Sequence, residues 1–506
     1  MLIGAGVVGV IAVIGVFAMQ KGSVPAPVTA PAPAPADSTH MAVPALEAAL
    51  GDSTVVGHGP DSTATLVMGS MIGSGVFIVA ADISRQVQSP GLMMMTWFVT
   101  AALTMIAALS YGELAAAMPH AGGQYVYLRE AFGPLAGFLF GWTMFAVIQT
   151  GTIAAVAVAF AKYTGIFFPY ISDQNYLVGG GGIGVTTQQG LAIAVIVFLT
   201  WSNTHGIRTG ATVQNVFTFA KIGALIGLVG AGFLVGRNPA AVAANFTGFW
   251  RHAGWNFDSV RLVGVAMVGA LFSSDAWNNV TFTAGEVHNP KRNLPLSLAL
   301  GVAIVSALYI ACNMTYLNVL TFDAIQHADK DRVAAAAASS MFGPVAVRIM
   351  AAAIMVSTFG CINGLTLSGA RVYYAMAKDK LFFRQAETLD PKTHAPVFSL
   401  TVQCIWACLL TLSGRYNDLL DYVIFAVLLF YILTIAALFV LRRTRPDMER
   451  PYKAIGYPVL PAIYILAAGL IELLLLLYKP NYTWPGLIIV LLGLPVYFIW
   501  RKKAII

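Results

Sequence analysis

From residue 63 to residue 500 the chain runs through about twelve long apolar segments separated by short polar breaks, which leaves it few ways to fold. A helix of about 20 apolar residues crosses a hydrocarbon layer of about 30 Å. In lipid the backbone must satisfy its own hydrogen bonds, so such runs read as spanning helices. The expected spans are 63–86, 92–118, 132–161, 188–204, 211–235, 260–285, 294–319, 343–376, 397–413, 420–441, 457–478 and 483–500. Two of them, 132–161 and 343–376, exceed a straight crossing and imply tilt or projection beyond the bilayer. Composition agrees: 58% of residues are hydrophobic and 10% charged, whereas soluble domains carry roughly 25% charged residues. The expected class is an all-α polytopic membrane protein.

The formal net charge of +7 does not indicate nucleic acid, because the basic residues lie in short loops between apolar segments rather than in one patch. One set of alternate loops holds most of them, including Arg129, Lys291, Arg292, Lys378, Arg442 and Arg443, with Arg501, Lys502 and Lys503 at the end. The other set, with Arg85, Lys162, Arg237 and Lys479, is poorer. This bias puts the first set, and both termini of the core, in the cytoplasm. Cys312, Cys361, Cys404 and Cys408 all fall inside apolar segments and read as small core residues.

Residues 1–19 are continuously apolar, and a Pro/Ala-rich linker follows. We expect residues 1–60 to be an accessory hydrophobic segment and linker (an anchor, a misplaced start or a fusion remnant). Residues 61–455 then form the helical core, and 456–506 two additional helices with a basic tail.

Two spans carry polar and helix-disfavouring residues at mid-length: Gly69-Ser70-Met71-Ile72-Gly73-Ser74-Gly75 in the first core span, and Phe272-Ser273-Ser274-Asp275-Ala276-Trp277-Asn278-Asn279 in the sixth. Glycine costs about 1 kcal/mol in a helix interior, and a buried acid near the bilayer centre is expensive. The two occupy corresponding places in two five-helix halves, the arrangement in which inverted-repeat carriers unwind paired helices around their cargo. Free amides at such a break attract a carboxylate and free carbonyls an ammonium. An amino acid carries both on one carbon. A cavity between the two breaks is therefore expected.

The stretches GSMIGSGVF, YGELAAAMPHAGGQYVYLREAFGPLAGFLFGW, DAWNNVTFTAGEVHNPKRNLP and STFGCINGLTLSGARVYYAMAKD occur in that order. Together they resemble the amino acid–polyamine–organocation superfamily, and within it a bacterial relative of the L-type amino acid transporters, over roughly residues 61–480. The resemblance implies a leucine-transporter-like fold, two inverted five-helix repeats plus two helices. It implies that Ile72, Gly73, Ser74 and Gly75 receive the substrate carboxylate, and that Phe272, Ser273 and Asp275 line the second break with Phe272 as an outer aromatic gate. Lys221 in the fifth span would bridge the first break and Ser357 of the eighth, which implies sodium independence. Trp277 and Asn278 would support the second break or touch the substrate. Glu113, Glu286 and Arg371, near the cytoplasmic helix ends, would supply an ion pair that opens with the inner gate. Asp275 departs from the small residue usual in eukaryotic members and could meet a cationic side chain, hold Lys221 or an amide, or titrate. The loop at 163–187 has no cysteine, so no disulfide-linked heavy subunit is expected. No cofactor or metal is implied.

An enzyme would need convergent ligands or a nucleophile–base pair, and the eight histidines are scattered over loops and helix ends. A channel would need repeated pore-lining rings. An amino acid sensor on the same fold is the alternative from another class. Within transport, the expectation is sodium-independent exchange or facilitated movement of neutral amino acids in a bacterial inner membrane, with proton symport of neutral or cationic amino acids as the second reading.

Overall fold

The computed structural model describes residues 60–504, apart from 181, 182, 206, 255, 394, 414 and 415. The accessory segment expected before the core lies outside them. The expected spans appear in order as α1 (Pro60–Met71) with α2 (Gly75–Val87), α3 (Pro90–Ala117), then a short α4 (Gln124–Phe132) and α5 (Pro134–Thr164). After these come α6 (Thr187–Thr204), α7 (Ile207–Leu234), α8 (Phe257–Ser273) with α9 (Asn279–Phe282), and α10 (Pro290–Val319). The series closes with α11 (Pro344–Lys378), α12 (Val397–Ser413), α13 (Tyr416–Thr444), α14 (Val459–Tyr478) and α15 (Pro480–Ala504). A two-stranded antiparallel hairpin, Tyr176–Gly180 with Ile183–Thr186, lies in the loop before α6 and was not expected.

Among the described residues eight helices are individually long and apolar enough to cross a bilayer, and the bent pair α1–α2 makes a ninth. Helices α6, α8 and α12 fall short of that measure: α8 and α12 are 17 residues each, and α6 carries Gln188, Gln189, Ser202 and Asn203 at its ends. The long spans are accommodated by length: α11 has 35 residues and runs about 52 Å at 1.5 Å per residue.

The order divides into two halves. Each opens with an interrupted span, α1–α2 or α8–α9, and each places a short helix between its second and third spans. In the first half this is α4, at the end of the bundle that carries the basic loops; in the second it is Val333–Phe342, at the opposite end. That inversion is what an inverted repeat requires. Helices α14 and α15 follow the second half and pack on α13. The interrupted helices sit inside the bundle, α1 against α7, α10 and α11, and α8 against α2, α3 and α13. Large apolar side chains such as Phe219, Leu234, Val345, Ile349 and Leu466 are exposed on the outside, the inside-out pattern of a protein solvated by lipid.

Candidate functional site

The first span loses its helical ladder at Ile72, Gly73 and Ser74, where the axis bends by 43°. A break orphans the carbonyls that precede it and the amides that follow it. Here the two sets meet different fates. Lys221 Nζ of α7 donates to Gly69 O (2.5 Å) and Ile72 O (2.9 Å). Cys361 Sγ lies 3.5 Å from Ser70 O, and Tyr309 OH donates to Met71 O at 3.1 Å. Ser357 Oγ reaches Ile72 O (3.3 Å) and Gly73 O (3.2 Å). Every carbonyl from residue 69 to residue 73 is thus taken by a side chain from α7, α10 or α11. Among the described residues nothing bonds to the amides of Gly73, Ser74 and Gly75, which lead into the N-terminus of α2, where partial positive charge gathers.

The second break is sorted the other way. The amides of Ser274, Asp275 and Asn279 bond to carbonyls of residues 270–272 and 276. Among the described residues no backbone amide bonds to the carbonyls of Ser273, Ser274 and Asp275. Ala276 has φ +64°, a left-handed conformation that is strained for a residue with a Cβ. Such strain persists only where the surroundings enforce it. Trp277 supplies part of that enforcement: it is buried edge-on against Tyr111 (4.8 Å between ring centroids) and tilted against Tyr431 (5.3 Å). Asn278 Nδ2 donates to Gln124 Oε1 (3.0 Å) at the start of α4, and Gln124 in turn donates to Phe430 O and Thr434 Oγ1 of α13.

Gly75 and Ser273 bring the breaks together. A Cβ built on Gly75 would lie 2.1 Å from Ser273 Oγ and 2.8 Å from Ser273 Cα. Ser273 Oγ itself donates back to Gly269 O at 2.8 Å. The expected cavity between the breaks is therefore shut in this conformation, because helix backbones meet where it would be. A narrow space with room for about one water lies to one side, against Asp275, Asn278, Gln149 and Tyr431. Phe272 closes the assembly on the side of α2. Its ring stands edge-on to Tyr416 at 6.1 Å, and Tyr416 OH lies 3.0 Å from Ser74 Oγ.

One expectation is corrected and two open ones are narrowed. Lys221 and Ser357 do not bond each other; they converge on the Ile72 carbonyl. Asp275 does not hold Lys221: Tyr431 OH donates to its Oδ1 at 2.6 Å, and Lys221 is occupied by carbonyls on the far side of the first break. Glu113 and Arg371 share an end of the bundle but not a bond. Arg371 makes a two-pronged pair with Glu286 (2.6 and 3.0 Å). Glu113, 1% exposed, takes Arg442 (2.9 and 2.5 Å), Arg450 (3.3 Å) and the Ala454 amide (2.7 Å), because the loop after α13 folds back over the end of α3.

Tyr309, Cys361, Tyr416 and Tyr431 were not singled out from sequence. Their signal was present in kind: a tyrosine in an apolar span, where phenylalanine would pack as well, carries a hydroxyl that needs a partner.

Known proteins resemble this chain over most of its length. The chain matches the amino acid permease family over residues 60–497. It is 30% identical over 439 residues to b(0,+)-type amino acid transporter 1 of Mus musculus, covering 86% of each chain. It is 29% identical to large neutral amino acids transporter small subunit 2 of Homo sapiens, over 87% of this chain and 80% of that one. Against Asc-type amino acid transporter 1 of Mus musculus the identity is 27%, over 87% and 81%.

Proposed function

Because the chain belongs to the amino acid permease family, we propose that it carries neutral amino acids across the bilayer by sodium-independent exchange or facilitated movement, through alternating access. The observation that carries this reading is the opposite sorting of backbone groups: free amides at Gly73–Gly75, free carbonyls at Ser273–Asp275. A zwitterion's carboxylate fits the first set, with the Ser74 hydroxyl and the Ile72 turn beside it, and its ammonium fits the second. Oriented backbone dipoles in a site that excludes water are worth far more than in solution. No covalent chemistry is needed, and the protein acts as a carrier rather than an enzyme.

Gly75 and Ser273 must part to admit the ligand. Bound substrate then bridges α2 and the end of α8, Phe272 closes over it, and the bundle rocks. A ligand shifts such an equilibrium only through contacts that differ between the states, and bridging two breaks that otherwise touch is such a contact. The Lys221 ammonium occupies the face of the first break with a fixed charge, which supports sodium independence. At the basic end the pairs Arg371–Glu286 and Glu113–Arg442 act as clasps that release when that end opens.

The basic end is assigned to the cytoplasm and the membrane to a bacterial inner membrane, on the loop charge bias and the resemblance. Residues 61–455 act as the transport unit, with 456–506 as an attached pair of helices. The cysteine-free loop at 163–187 supports a carrier that works without a disulfide-linked partner.

Proton symport is the second reading, and it rests on Asp275, a buried acid with a tyrosine rather than a cation for its hydrogen-bond partner. Purified protein in liposomes separates the two. Uptake of labelled amino acid that needs unlabelled amino acid inside, and that a pH step alone does not drive, is the expected result. Uptake into empty vesicles driven by an alkaline interior would favour symport, and no flux under either condition would favour a sensor.

A further inference from the structure

Glu472 lies in α14 within the sequence Leu470-Ile471-Glu472-Leu473-Leu474, so its carboxyl is carried into the apolar bundle by its own helix. It is 4% exposed, and neither side-chain oxygen receives a hydrogen bond. Among the described residues no lysine, arginine or histidine pairs with it. The Leu429 backbone of α13 lies within electrostatic reach but outside hydrogen-bond geometry.

Four helices pack on α14, and their titratable groups are few. Helix α3 offers Tyr111 and Glu113, the latter bound to Arg442. Helix α8 offers Asp258 and Arg261 at one end and Asp275 beyond the other. Helix α13 offers Asp421, paired with Lys479, Tyr431, bound to Asp275, Tyr416 and Tyr422 near its start, and Arg442 and Arg443 in its last turn, where Arg442 is bound to Glu113; α15 offers Tyr497. On α14 itself, Tyr464 lies within electrostatic reach of both Asp275 and Glu472. None of these supplies the positive charge an ionised carboxylate would need. Leaving it ionised and unpaired would cost several kcal/mol, so in this conformation Glu472 is a neutral acid. A neutral acid kept for packing would donate its proton to a neighbour, and here none accepts it.

The helical register supplies a reason to keep it. Lys479 is seven residues further along the same face, about 10 Å away. There a cavity of about 480 Å³ opens, lined by Val265 and Val268 of α8, Asp421, Tyr478 and Lys479. Between Glu472 and that cavity stands the turn carrying Leu474, whose Cδ1 fills the groove at Gly264 of α8, 2.5 Å from where a Cβ would be. Helix α8 is also the helix that ends at the second break. The second break and this turn are thus joined through one helix.

We propose that Glu472 is a proton-binding site, filled in the closed conformation and emptied into water of the 480 Å³ cavity when α8 moves. The O–H bond breaks, a water molecule takes the proton, and the carboxylate is left hydrated, with the Lys479 ammonium about 10 Å further along the same helix face. Opening at that end then releases one proton, so a higher pH on the cavity side favours opening by up to about tenfold per pH unit. This rests on the transport reading but goes beyond it, since exchange itself does not require a titrating group.

The test is counterflow by the full chain in liposomes, with pH varied from about 6 to about 8 on the cavity side alone. Wild-type exchange should quicken with pH, and Glu472→Gln, which keeps the shape of the neutral acid, should exchange with a flat profile. A flat wild-type profile, or a Glu472→Gln profile with the wild-type slope, overturns the proposal. Should the variant fail to reach the membrane, wild-type protein treated with dicyclohexylcarbodiimide decides. The acid O–H adds across a C=N bond of the reagent, the acyl group shifts from oxygen to nitrogen, and nothing leaves. A stable adduct located on Glu472 by mass spectrometry, forming faster at pH 6 than at pH 8, supports the site, and its absence overturns it. Loss of wild-type counterflow at every pH would instead strike the transport reading.

Discussion

Lys221 and Ser357, on different helices, meet on one atom, the carbonyl oxygen of Ile72. The carbonyls abandoned by the first helix are therefore held by the bundle rather than by an ion or by solvent. Of the two residues Lys221 does more, because it also takes Gly69 O. Hydrogen bonds from a charged donor are worth about 1.5–3 kcal/mol each. Lys221→Ala is expected to lower the initial exchange rate about tenfold or more while insertion in the membrane is unchanged. A variant that exchanges at the wild-type rate removes Lys221 from the mechanism.

Gly75 is required by the backbone of Ser273, which a Cβ would overlap. Overpacking of this kind costs about 1–3 kcal/mol. Gly75→Ala should slow exchange about tenfold or more, and Ser273→Gly in the same chain should recover part of the loss. Additive losses in the double variant would mean that the two breaks act apart.

Asp275→Asn keeps an acceptor for Tyr431 but removes the charge. Competition by a panel of amino acids against one labelled tracer should then move away from cationic side chains by about tenfold relative to neutral ones, the worth of one charged hydrogen bond. Unchanged selectivity and unchanged pH dependence would reduce Asp275 to a scaffold for the break.

Arg371 and Glu286 are matched by both prongs. Reversing either charge alone should slow exchange several-fold, and reversing both should restore much of it. If the double reversal is as slow as the singles, the pair is not a clasp.

Glu130, on α4 outside the spans, reads out packing rather than transport. Partial burial opposes its ionisation, but hydrogen bonds from Arg445 and Arg129 hold its carboxyl below the usual carboxylate range. A lowered value in the folded state contributes stability above the ordinary carboxylate value of about 4.3, and that contribution is lost as pH falls through the folded value. Glu130→Gln should lower the unfolding midpoint at pH 7 by about 1 °C. The gap should close as pH drops from about 5 to about 3, and a gap that widens there would contradict the assignment.

The sequence disclosed where the helices stop. Gly73-Ser74-Gly75 and Ser273-Ser274-Asp275 stand out because lipid tolerates neither bare backbone nor lone polar groups, so their presence needs a tertiary reason. It did not disclose who answers them. Tyr309 and Cys361 look like ordinary residues of apolar helices, and only the packing of α10 and α11 on α1 reveals their partners. Glu113 was expected in an ion pair but with no particular cation, since several arginines gather at that end of the bundle and the fold of the loop after α13 selects among them. Glu472 sits in a leucine-rich run where hydropathy averages conceal one acid.

The five carbonyls from Gly69 to Gly73 are secured by side chains of neighbouring helices, with no part left for cargo to play. An empty carrier consequently cannot heal its first helix between turnovers. Only the contact of Gly75 with Ser273 then has to open for the next molecule, and the pace of the cycle falls to the swing of whole helices.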